Sequence, residues 1–178
     1  FGPRGNVLMS FRNADYVASF SPDLTSVEWT MGGPQGTIAL DPAERFYGQH
    51  FVSEPTEGRV LVFDNGWERP GGAYSRAVEF AVDRTNGTAT KVWEYRPTPD
   101  IYASLVGSAR RLANGNTLVL FGMLAGHNGS SGPITAVEVT PAGMPVWRFT
   151  AGANITRLYR IEFVASVIGE VPGILTLP

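Results

Sequence analysis

Residues 58–66 read GRVLVFDNG, residues 75–87 SRAVEFAVDRTNG and residues 88–97 TATKVWEYRP. Each is a short run rich in Val, Phe, Tyr, Trp and Thr closed by Gly, Asn, Asp or Pro, the pattern of strands separated by tight turns. Because side chains alternate along a strand, Val60 and Val62 share one face and Leu61 and Phe63 the other. A strand apolar on both faces is buried on both. The polar groups near its ends, His50, Asp64-Asn65-Gly66 and Arg76, then fall on loops at a rim, where function concentrates. The strand that leads into this hairpin is expected to end at His50 and to turn through Glu57-Gly58.

The same order occurs on either side of this stretch. GNVLMSFRN, DYVASFSPD and TSVEWTMGG precede it, and NTLVLFG, ITAVEVTPAG and MPVWRFTAG follow. The matched glycines Gly5, Gly58 and Gly115 lie 53 and 57 residues apart, and Trp29, Trp93 and Trp147 close the three units. Four antiparallel strands in a repeat of about 40–50 residues is the signature of β-propeller blades. The reading is therefore all-β, with residues 1–178 forming one partial propeller domain. Its units run approximately 5–46, 47–100 and 101–152, with a final strand at 154–168. The first unit lacks its leading strand, so the chain supplies about three blades plus single strands at the ends. Closed propellers have about four to eight blades, so a second chain or a further segment is expected to complete the ring. A β-sandwich is the competing arrangement, but it predicts neither the repeat order nor the recurring Trp, which reads as packing between blades.

Composition narrows the function. With 178 residues, 43% of them hydrophobic, the chain can bury one sizeable core. A net charge of −2 and no basic cluster longer than Arg110-Arg111 give no footprint for nucleic acid. No apolar run approaches the roughly 20 residues of a membrane-spanning helix. A start at Phe1, without a charged and apolar leader, is expected of a processed or truncated N-terminus. The absence of Cys excludes thiolate metal sites, and two His with scattered carboxylates point to no metal and no cofactor. Asn86, Asn128 and Asn154 each open an Asn-x-Ser/Thr sequon, a glycosylation signal if the protein is secreted from a eukaryotic cell.

Gln49-His50, the following EGRVLVFDNG, SRAVEF (75–80), VWEY (92–95), GSARRLANGNTLVLFG (107–122) and YRIEF (159–163) together resemble the arylsulfotransferase family. The resemblance covers about Gly5 to Phe163. It implies a six-bladed propeller, extracellular, secreted or periplasmic, that moves a sulfuryl group between phenols without a nucleotide-activated donor. It also implies that His50 and Arg76 are catalytic, contacting the sulfuryl oxygens, with Asn65 a turn residue that binds substrate or orients them. An aryl sulfate and a phenol are the implied ligands. In the bacterial enzymes of the family a further His on a different blade is the nucleophile, and the third unit here, LVGSARRL, has none. His127 sits instead in the Gly-rich loop AGHNGSSG.

The chemistry suits these residue types. Charge on the sulfuryl oxygens rewards fixed cations and donors, Arg presents a planar fork of N–H groups, and a neutral imidazole can attack or act as a general acid. Each residue also has a structural reading. His50 can be a hydrogen-bonded strand-end residue, Asp64-Asn65-Gly66 a tight turn, and Arg76 an ion-pair partner of Glu54, Glu57 or Asp64. A non-catalytic propeller serving as a binding or assembly module of an extracellular structure is the alternative function.

Overall fold

A computed structural model describes residues 1–152 and 154–163. They form twelve strands and two three-residue 3-10 turns, so the fold is all-β. The first sheet has the order β1 (Val7–Phe11), β2 (Tyr16–Phe20), β3 (Val27–Gly32). The second contains β5 (His50–Thr56), β6 (Arg59–Asp64), β7 (Arg76–Asp83) and β8 (Thr88–Tyr95). The third contains β9 (Ser108–Arg111), β10 (Thr117–Phe121), β11 (Thr135–Val139) and β12 (Pro145–Thr150). All pairings within these meanders are antiparallel, an arrangement consistent with part of a propeller.

The repeat is visible in the register. Trp29 faces Ser19, Trp93 faces Glu79 and Trp147 faces Glu138, and in every sheet the pairing slips by one residue immediately beside that pair. A bulge at the same place in three sheets twists each outer strand alike. Gly5, Gly58 and Gly115 have φ of 77°, 73° and 85°, values that cost a residue with a Cβ. By this alignment β1 corresponds to β6 and β10, and among the described residues the first sheet has no counterpart of β5 and β9.

Strand parity builds the core. Val60 and Val62 pack with Val17, Trp29, Met31 and Phe80 between the first and second sheets. Leu61 and Phe63 pack with Val119, Phe121 and Val137 between the second and third. Leu120, Ile134 and Ala136 form a smaller cluster on the far side of the third sheet, against Leu158 and Ile161.

Three expectations are corrected. His50 opens β5 instead of ending a strand, because Gly48 with φ of 58° turns the chain just before it. Residues 39–40, within the first unit by sequence, form β4 (Ala39–Leu40), which pairs parallel with β8 and covers the outer edge of the second sheet. Paired edges resist association with other strands, a tertiary demand that no local pattern announces. The described part of the final strand expected at 154–168 is irregular, held by a bridge between Met123 and Arg157, and 164–168 lie outside the described residues.

Candidate active site

One end of the second sheet gathers the polar residues. His50 starts β5, Asp64 ends β6 with Asn65 and Gly66 following, and Arg76 starts β7 opposite Asp64. Asp64 and Asn65 are adjacent and point to opposite faces, and this divides the rim into two networks.

On one face Asp64, fully buried, accepts from the amides of Tyr47 (2.9 Å) and Gly66 (3.0 Å) and pairs with Arg69 and with Arg76 Nε (2.8 Å). Arg76 directs its remaining donors to Glu94 (2.8 Å), Glu44 (3.5 Å) and the carbonyls of Glu44 and Arg45 (3.1 Å each). All five of its N–H groups therefore have protein acceptors. Burial disfavours the charge, yet the pairing with Asp64 and Glu94 holds the Arg76 pKa above its ordinary value. Arg76 is thus not a free cation beside His50. Of the ion-pair partners the sequence offers Arg76, the structure shows Asp64.

On the other face Asn65 Nδ2 donates to the carbonyls of Ala103 (2.7 Å) and Val106 (2.8 Å). Its Oδ1 is then the acceptor that faces His50 Nδ1 at 2.8 Å. The imidazole must carry its proton on Nδ1, which leaves a lone pair on Nε2. The Val106 amide approaches Nε2 at 3.4 Å, too long for a strong bond. Burial is the main force lowering the His50 pKa; the Asn65 bond opposes it and the charge of Arg12 adds to it. The ring is therefore neutral near pH 7.

Arg12 was not singled out in the sequence. It opens the 3-10 turn at Arg12–Ala14, donates to Ser104 O (3.1 Å) and Asn13 Oδ1 (2.9 Å), lies over the Trp67 ring, and keeps a buried Nε with no partner. A signal existed: with Gly5 matched to Gly58, Arg12 falls at the position of Asn65, so repeat order puts it at the same rim.

Backbone strain collects around His50. Phe51 and Val106 have φ of 36° and 57°, and for a β-branched residue such a value is a true outlier. In the third sheet Ser108 stands opposite Leu120 as His50 stands opposite Phe63, and Gly107 just before it has Phe63 and the Leu120 carbonyl where a Cβ would stand. His127 lies exposed in its loop, bonded through its backbone to Leu124 and Ser130. Asn86, Asn128 and Asn154 are all exposed, with Asn86 Nδ2 donating to Asp83 (2.7 Å).

The arylsulfotransferase (ASST) family profile matches residues 2–160. The chain belongs to the arylsulfotransferase family. A curated relative, the arylsulfate sulfotransferase AssT of Escherichia coli O6:H1, is 34% identical over 85 residues, which cover 43% of this chain and 14% of that protein. The chain thus shares only a small part of that relative's length. Among the described residues no helix is long and apolar enough to cross a membrane.

Proposed function

We propose that this arylsulfotransferase-family chain carries a nucleophilic half-site for sulfuryl transfer between phenolic compounds, with His50 as the nucleophile. The observation that carries the reading is the tautomer: Asn65, pinned by two donated bonds, accepts from Nδ1–H and leaves Nε2 unprotonated. In the first step the Nε2 lone pair attacks sulfur, the sulfur–oxygen bond to the aryl group breaks, and a phenolate departs. In the second step the oxygen of an acceptor phenol attacks the same sulfur, its proton passes to solvent water or to the released phenolate, the sulfur–nitrogen bond breaks, and its electron pair returns to Nε2. Arg12 supplies the cation beside the ring, and fixed charge aimed at oxygens that gain charge is worth most in a site shielded from water. Asn65 acts through His50 as a positioning residue. Arg76 acts at one remove, holding Asp64 and hence the turn from which Asn65 projects. Family membership supports the substrate class, and the exposed sequons fit a protein working outside the cytoplasm.

The test is covalent. Incubation of the whole protein with 4-nitrophenyl sulfate, without acceptor, is expected to add one sulfuryl group to the peptide containing His50, and a phenol is expected to discharge it. His50→Ala should show neither adduct nor phenol release. An adduct elsewhere, or none with intact binding, overturns the reading in favour of a non-catalytic binding module.

A further inference from the structure

Two large, exposed aromatic side chains flank the His50 site, Tyr159 against the imidazole itself and Trp67 across Arg12. Trp67 is 36% exposed and follows Gly66, and both amides donate to the Tyr47 carbonyl at 2.9 and 3.2 Å. Its side chain packs where Gly48 has no Cβ; a Cβ there would stand 2.6 Å from that of Trp67. One face of the indole carries the Arg12 guanidinium, 4.8 Å from the ring centroid. Tyr159 is 65% exposed, its carbonyl accepts from Gly107 at 3.2 Å, and the neighbouring Leu158 amide donates to Gly122 at 2.8 Å. Its ring meets the imidazole edge to face, with centroids 6.5 Å apart. Trp67 thus approaches from the side of the first sheet through Arg12, and Tyr159 from the side of the third sheet through Gly107.

From this arrangement we infer that Trp67 and Tyr159 are the specificity-determining residues for the aryl part of the substrate. The inference rests on the sulfuryl-transfer reading and adds to it which residues recognise the leaving and accepting rings. Arg12 and the imidazole address only the sulfuryl end, and by themselves they would bind an alkyl sulfate as readily as an aryl one. A flat π-face gains from offset or edge-to-face contact with Trp67 and Tyr159, which a saturated ring of similar size does not. Holding both side chains through backbone bonds limits the entropy lost when a substrate binds.

The experiment compares binding of 4-nitrophenyl sulfate and cyclohexyl sulfate to the whole protein by calorimetry, for the unsubstituted protein, Trp67→Ala, Trp67→Phe and Tyr159→Ala. Each alanine variant is expected to weaken the aryl ester about three- to tenfold, the range for an aromatic pair, and to leave the cyclohexyl ester unchanged. Trp67→Phe should retain most of the preference. Because Tyr159 is largely exposed, its variant tests the idea even if Trp67→Ala fails to fold. Equal weakening of both esters, or no change in either, overturns the inference. A lost aryl preference without any sulfuryl adduct on His50 would leave this inference standing and remove the nucleophile, so the two failures are distinguishable.

Discussion

At the scale of single residues, the protonation state of His50 follows from its neighbours. With its pKa lowered by burial, His50 remains neutral below the ordinary histidine value of about 6.5. The acid limb of a kcat/KM profile is then expected below pH 6.5, and a limb above it would contradict the neutral Nε2. The same shift acts on stability. In the window from about pH 6.5 down to the lowered value the unfolded chain binds more protons than the folded one, so His50 contributes stability above the window that is lost as pH falls through it. Asn65→Leu strips the two buried carbonyls of Ala103 and Val106 of their donor. It should cost about 1–3 kcal/mol for each carbonyl left unsatisfied, read by denaturant unfolding, and abolish transfer even where folding is rescued by temperature. His50 and Asn65 were conspicuous as polar residues ending apolar strands. Their mutual contact was not legible, because it depends on Asn65 being anchored to residues 38 and 41 positions away. Arg12 was missed for the opposite reason: an arginine at the end of an apolar strand looks like a solvated terminus until the fold sets it beside an imidazole.

At the scale of elements, the second sheet is held by charge as well as by apolar packing. Asp64 has no exposure and binds Arg69 and Arg76 while capping two loop amides. Asp64→Asn leaves Arg76 buried with a lost partner, and breaking such a pair costs about 3–5 kcal/mol, an effect measurable as a lowered unfolding midpoint. If Arg76 acts only through this network, Arg76→Lys should weaken folding more than it weakens sulfate affinity, since Lys cannot reproduce a five-donor fork; an isolated loss of affinity would restore Arg76 as a direct ligand. The alternation of Val60, Leu61, Val62 and Phe63 announced which residues face which neighbour, and the two core clusters divide along that parity. The side on which Arg76 lies was legible from the same alternation, because Arg76 stands opposite Asp64 and not Asn65. β4 was not legible, since two residues carry no period.

At the scale of the whole molecule, the first and second sheets turn their tryptophans toward the sheet that follows. Trp29 is 3% exposed against the second sheet, and Trp93 is half-buried against the third, its Nε1 donating to the Pro141 carbonyl at 2.9 Å. Trp147 holds the equivalent register but is 47% exposed, with Val146, Phe149 and Met144 also open to solvent. A run of apolar side chains on a strand that is outermost among the described residues is a surface that soluble proteins cover. Trp29→Ala should cost about 3–5 kcal/mol, as for other buried large-to-small changes, whereas Trp147→Ala in the chain taken alone should stay within about 0.5 kcal/mol, as at an exposed site. The repeat supplies the missing cover by analogy: a further sheet offering a turn carbonyl where Pro141 stands would bury Trp147 as the third sheet buries Trp93. Without that cover, residues 1–178 in solution are expected to self-associate beyond 19.2 kDa by light scattering at micromolar concentration. Trp147→Lys combined with Phe149→Lys should return them toward the monomer by placing charge on the face and edge. A monodisperse monomer of the unsubstituted chain would show that this face needs no partner, and the covering sheet would then have to be abandoned.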